Sequence, residues 1–152
     1  TTSLCLELLV ELADRGGRAS VADLGTGSGV LAIAAAKLGL GPVWTCDQER
    51  AAVEAARQNA ERNGVGIEVE RRDLRERTAQ PAEIWLANLT APILAVVGER
   101  IPPPGDGGPD EMIVSGLLRE EVARVERGFE PAGFATVEAR CKGGWAALLL
   151  RR

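Results

Sequence analysis

The chain contains no histidine. That excludes an imidazole general base, a Ser-His-Asp triad and any metal site built on imidazole. Cysteine is scarce as well. Cys5, Cys46 and Cys141 stand singly, with no C-x-x-C pair for a zinc knuckle or a thioredoxin-type motif, so no metal ligand set is expected. All three read as small apolar filler, and unpaired thiols fit a reducing compartment, the cytoplasm. No apolar run approaches the roughly 20 residues that span a bilayer, so no membrane partner is expected. Basic residues are outnumbered, 18 against 22 acidic, for a net charge of −4. A surface of that sign does not neutralise phosphates in bulk, so direct nucleic-acid binding is not expected. What is present suits one globular domain: 152 residues, of which 45% are hydrophobic and 26% charged.

Hydrophobic spacing and punctuation divide the chain into alternating elements. Thr1 to Leu12 opens on three hydroxyl residues and continues through Leu4, Leu8, Leu9 and Leu12, which predicts a capped helix stopped by Gly16-Gly17. Strands are expected at Ala19 to Leu24, Val43 to Cys46, Ile67 to Glu70, Glu83 to Ala87 and Met112 to Ser115. The alternation in Ile67-Glu68-Val69-Glu70 suits a strand near a sheet edge. Helices are expected at Val30 to Leu38, at Glu49 to Asn63 with Val53, Ala56 and Ala60 on one face, and at Thr90 to Arg100. Leu118, Val122, Val125 and Phe129 recur at helical spacing and predict a helix from Leu118 to Arg127. Phe134 to Cys141 and Trp145 to Leu150 flank Lys142-Gly143-Gly144 as a hairpin. Trp44 and Trp85 read as core, and Trp145 as partly exposed. Seven strands with helices between them, closing on an antiparallel hairpin, make an α/β domain with a mostly parallel, doubly wound sheet.

In such sheets ligands bind at the carboxyl ends of the strands. Asp23, Asp47, Asp73 and Asn88 are all expected on that edge. Gly25-Thr26-Gly27-Ser28-Gly29 joins the first strand to a helix, and its glycines let a ligand approach the backbone. The turn lacks the Gly-Lys-Ser/Thr ending of a phosphate loop, and its G-x-G-x-G spacing differs from the dinucleotide fingerprint. No Lys or Arg occurs from Leu24 to Ala36, so a pyrophosphate would meet the Asp23 carboxylate and no cation. A ligand carrying an ammonium and a sulfonium suits that charge, and S-adenosyl-L-methionine has both. Asp47, 18 residues after Gly29, can accept from both ribose hydroxyls, although capping the helix that follows is a competing role. Asp73 can accept from the adenine amino group, and the Asn88 side-chain oxygen from an amine.

Asp23 to Gly29 resembles the first motif of class I S-adenosylmethionine-dependent methyltransferases, whose sheet is Rossmann-like. Four stretches are similar to the bacterial ribosomal protein L11 methyltransferase (PrmA) family: Thr1 to Leu9, Asp23 to Ala35, Ala87-Asn88-Leu89-Thr90-Ala91, and Ile113-Val114-Ser115-Gly116-Leu117-Leu118. The closing Gly144-Trp145-Ala146-Ala147-Leu148 is similar too. The resemblance implies that cofactor contacts fall on Thr1, Thr2, Asp23, Gly25, Thr26, Gly27, Gly29, Asp47, Asp73 and Asn88, with Asn88 at the methyl-transfer site. It implies one catalytic domain over residues 1–152, without the family's amino-terminal substrate-recognition domain. The implied activity is transfer of methyl groups to amino groups of a protein such as a large-subunit ribosomal protein. Two other readings stay open. One is a small-molecule methyltransferase whose acceptor pocket is closed by the Ile101 to Asp110 loop. The other is a cofactor-binding domain with no acceptor site of its own.

Overall fold

The computed structural model describes residues 1–152. The elements run α1 (Thr2–Asp14), β1 (Val21–Leu24), α2 (Val30–Lys37), β2 (Val43–Asp47), α3 (Arg50–Arg62), β3 (Glu68–Arg71), β4 (Ile84–Asn88), α4 (Ala91–Glu99), β5 (Glu111–Leu118), α5 (Val122–Phe129), β6 (Ala135–Lys142) and β7 (Trp145–Arg151). The seven strands form one sheet in the order β3-β2-β1-β4-β5-β7-β6. All pairs from β3 to β5 are parallel, and β7 is antiparallel to both of its neighbours. The chain winds outward from β1 through β2 to β3, then crosses back to place β4 on β1's other side. The winding therefore reverses between β1 and β4, the place where open α/β sheets carry ligands.

Alternate residues of each strand feed opposite cores. Ala22, Trp85, Val114 and Leu148 pack with α4 and α5 on one face, around the fully buried Phe129. Val21, Leu86, Ile113 and Leu149 pack with α1 and α2 on the other. Fully burying one large apolar side chain of this kind contributes about 1.5–3 kcal/mol, so the two layers fix the strand register tightly. Val53 and Ala56 of α3 cover Val69 of the edge strand β3. Trp44 and Trp85 are buried and Trp145 is 43% exposed, as their positions in the sequence imply. No helix is long and apolar enough to cross a membrane.

Three expectations are corrected. Thr1 occupies the N-cap of α1 but makes no side-chain capping bond; only its carbonyl engages the helix, accepting from Cys5 N. Leu118 is the last residue of β5 and 38% exposed, and α5 starts four residues later. The strand runs past Ser115 because a register shift at Gly116, φ +84°, lets Leu117 and Leu118 keep pairing with Ala146 and Trp145. The Ile101 to Asp110 loop joins the end of α4 to the start of β5, which puts it at the amino edge of the sheet. It cannot close a pocket at the carboxyl edge, and the lid assigned to it in the small-molecule reading falls with that placement.

Candidate functional site

The glycine turn leaves β1 and folds over β2: Gly25 N and Thr26 N both donate to Cys46 O at 2.9 Å. Asp23 holds it from beneath. Its side chain is 1% exposed and accepts from Thr26 Oγ1 at 2.7 Å and from Thr45 Oγ1 at 3.3 Å. Burial pushes its carboxyl up to about 6, against the lowering effect of those two hydroxyls. The expectation of an open carboxylate facing a ligand is therefore corrected. Asp23 lies inside β1 and acts on the turn through Thr26. Gly29 starts α2 at φ +86° and packs on Ala56 of α3, where a Cβ would come within 3.1 Å of Ala56 Cα. Asn59 of α3 ties the same turn down by donating from Nδ2 to Ser28 O at 2.8 Å. That anchor had no signal in the sequence beyond a polar residue in a helix.

Of the two roles foreseen for Asp47, the structure shows the one at the entry to α3, and the carboxylate also holds the glycine turn. Oδ1 accepts from Glu49 N at 3.0 Å and turns the chain into α3, while Oδ2 accepts from Gly27 N at 3.0 Å. Each carboxylate oxygen retains a lone pair, enough for two hydroxyl donors. Asp73 is not free. It accepts from Arg75 N at 2.9 Å and Arg75 Nε at 3.0 Å, and the guanidinium holds its carboxyl below the usual carboxylate range. Arg75 also donates to Gln48 Oε1, bridging the loops that follow β2 and β3. Gly25, Asp47 and Asp73 line one cavity of about 80 Å³ with Leu74, Leu89 and Ile93. Its polar wall suits ribose hydroxyls and its aliphatic wall a flat base. The two arginines that reach it, Arg72 and Arg75, come from the β3 exit, outside the stretch that is free of cations.

Asn88 ends β4, level with Ser115 of β5. Its Nδ2 donates to Thr2 Oγ1 at 3.2 Å, joining residues 86 apart in sequence and leaving Oδ1 as the acceptor still to be used. Thr2 at the start of α1 thus fixes which way the amide faces. Neither residue lines the 80 Å³ cavity; they form the corner beside it. Thr1 contributes its backbone alone, and Thr26 is turned inward onto Asp23. Sequence reasoning missed Leu89 and Gly116, whose part depends on contacts between strands.

The whole chain, residues 1–152, matches the model of the family described as ribosomal protein L11 methyltransferase (PrmA). It is 40% identical over 154 residues to the ribosomal protein L11 methyltransferase of Pelotomaculum thermopropionicum, a match that takes in 99% of this chain and 49% of that protein. The chain thus spans about half the length of the curated relatives it matches. The crystal structure of ribosomal protein L11 methylase from Lactobacillus delbrueckii subsp. bulgaricus superposes with a TM-score of 0.85 at 29% identity, over 97% of this chain and 77% of that one. Magnesium protoporphyrin IX methyltransferase of Synechocystis, solved with bound SAM, shares the fold at a TM-score of 0.74 and 16% identity, over 97% of this chain and 77% of that one. With the glycine turn, the acid at the end of β2 and the asparagine at the end of β4 set on one edge of such a sheet, the chain belongs to the ribosomal protein L11 methyltransferase (PrmA) family.

Proposed function

We propose that this chain is the cofactor-binding and methyl-transfer domain of a protein N-methyltransferase. It takes S-adenosyl-L-methionine as donor and amino groups of a large-subunit ribosomal protein as acceptor, in the cytoplasm. The observation that carries the reading is the Asp47 carboxylate. It is held against the turn by Gly27 N at 3.0 Å while keeping a lone pair on each oxygen for the two ribose hydroxyls. The residues fit such a ligand: Leu74, Leu89 and Ile93 offer an aliphatic wall to adenine, and Asp73 an acceptor to its amino group. Seating the whole cofactor requires the cavity to widen, since ligand sites of this class measure roughly 300 Å³ or more. The Synechocystis methyltransferase that shares this fold holds the same cofactor.

When bound, the cofactor supplies a methyl carbon on a sulfonium, a leaving group good enough that no covalent intermediate on the enzyme is required. The task left to the chain is to deliver a neutral amine in line. Asn88 Oδ1, fixed by the bond from Nδ2 to Thr2, can accept from an amine N–H and aim its lone pair. An alkyl ammonium, with an ordinary pKa near 10.4, must first lose its proton. With no histidine in the chain, a carboxylate or solvent takes it, and turnover rises with pH.

Calorimetry with S-adenosylhomocysteine tests the cofactor assignment. Asp47→Ala is expected to weaken binding by about 100-fold, the loss of two charge-assisted hydrogen bonds. Unchanged affinity in that variant sinks it. Asn88→Ala is expected to keep cofactor affinity within about twofold and to lower methyl transfer to ribosomal protein L11 by at least about 100-fold. Full turnover in Asn88→Ala removes its role. Transfer to small amines and never to the protein would favour the small-molecule reading.

A further inference from the structure

Two glycines on the strands flanking β4 are pressed against one residue. A Cβ added to Gly25, just past β1, would collide with Leu89 Cδ2. A Cβ added to Gly116, in the bulge of β5, would collide with Leu89 O and lie 2.8 Å from Leu89 N. Leu89 N also donates to Ser115 O at 2.9 Å, which carries the β4–β5 pairing one step beyond Asn88. Gly25 and Gly116 take φ of +73° and +84°, a conformation that other residues rarely adopt. Leu89 is thus clamped by side chain on one strand and by backbone on the other. It directly follows Asn88 and directly touches the turn that opens the cofactor cavity.

We infer that Leu89 is a positioning residue for methyl transfer, setting the spacing between the glycine turn and Asn88. The inference rests on the cofactor reading given above. The Leu89 backbone is fixed against Gly116 and Ser115, and its side chain spans the gap from there to Gly25, so that the β4 exit and the glycine turn are in direct contact. Movement of the turn when cofactor enters is transmitted to Asn88 through the leucine. Methyl transfer is sensitive to misplacements of about 1 Å between donor and acceptor, so this spacing governs turnover rather than affinity.

The experiment follows the paired side-chain amide NMR signals of Asn88, identified by their disappearance in Asn88→Ala, while the chain is titrated with S-adenosylhomocysteine. In the wild-type chain the signals are expected to move on binding. In Leu89→Ala, read at saturating ligand, the displacement is expected to fall by at least about half, while the lost cavity wall also weakens binding by roughly tenfold. Leu89→Met, which keeps the volume, is expected to restore it. With ribosomal protein L11 as acceptor and cofactor saturating, Leu89→Ala is expected to lower kcat by about tenfold or more, beyond any rise in the KM for cofactor from the lost wall. A wild-type-sized displacement at saturating ligand in Leu89→Ala overturns the inference, as does a kcat that stays at the wild-type value. A wild-type chain that binds cofactor with no displacement at Asn88 also overturns it while leaving the cofactor reading intact. No binding by the wild-type chain brings down the cofactor reading and this inference together. Circular dichroism of each variant checks that the sheet is retained.

Discussion

The two ends of the sheet are built from different kinds of polar contact. At the carboxyl end some of the polar groups are inside. Asp23, Thr26, Thr45 and Ser115 are the buried polar residues of the chain, and each is bonded: Thr26 and Thr45 to Asp23, and Ser115 Oγ to Ala146 O at 2.7 Å. At the amino end they are outside. Glu111 sits between Arg15 and Arg151, and Ser20 donates to Glu83, all in reach of water. An exposed ion pair of that kind contributes about 0–1 kcal/mol and can be exchanged for hydration. A buried hydrogen bond cannot be exchanged, because the partner left behind finds no water and loses about 1–3 kcal/mol. The carboxyl end therefore has fixed geometry, which a site for ligand and chemistry needs, and the amino end does not.

The largest expected effect comes from two glycines with nearly the same backbone angles, one at each end. Gly116 (φ +84°) faces the Leu89 carbonyl, and Gly105 (φ +87°) has nothing within 4 Å of its missing Cβ. Gly105→Ala is expected to cost about 1 kcal/mol, the intrinsic penalty of an L-residue in the left-handed region. Gly116→Ala is expected to cost about 3 kcal/mol or more, because backbone cannot move aside as a flexible side chain can. Denaturant unfolding of the two variants measures the difference. Equal costs would show that the carboxyl end yields as readily as the amino end.

Much of this architecture is legible in the sequence, because most of it is local. Glycine stops, apolar runs and helical spacing place the seven strands, and the alternation of strand and helix brings Asp47, Asp73 and Asn88 to one edge. What was hidden depends on neighbours distant in sequence. Leu118 keeps helical spacing with Val122, Val125 and Phe129, yet it pairs with Trp145, and only the bulge at Gly116 explains why. Gly116 in turn is required by a carbonyl on another strand. Asp23 reads as an open acid because its sequence neighbours are small, and it is closed by Thr45 from β2. The proline-rich loop after α4 announces flexibility but not position. The end on which it lies follows from its running from a helix into a parallel strand, a rule of connection rather than composition.

A smaller effect tests the buried half of the comparison. The Asp23 carboxyl is raised from 3.8 to about 6 by burial. The folded chain therefore binds this proton more tightly than the unfolded chain does. The stability it confers is fully present below about pH 4 and is lost as pH rises through about 6. Asp23→Asn removes that loss. Relative to wild type, the variant is expected to gain up to about 3 kcal/mol between pH 4 and pH 7 and nothing further above it. Denaturant unfolding at the two pH values measures the gain. A constant difference across that window would mean that the carboxylate is solvated in the folded chain.

The smallest effect belongs to an ion pair at the carboxyl end that resembles those at the amino end. Arg75 is 53% exposed and pairs with Asp73 at 3.0 Å. On the proposed reading it is also the group that the adenine amino competes with for Asp73, and it lines the cavity together with its partner Gln48. An exposed pair is weak, so its removal is expected to tighten S-adenosylhomocysteine binding by only about two- to threefold in Arg75→Ala. Because solvent ions screen such a pair, the gain is expected to shrink in roughly 1 M salt, where the wild-type chain catches up. Calorimetry at low and high salt separates this from the opposite arrangement. If Arg75 instead closes over the bound base, Arg75→Ala binds more weakly at both salts, and the exposed pair at this end is then as much a part of the site as the buried ones.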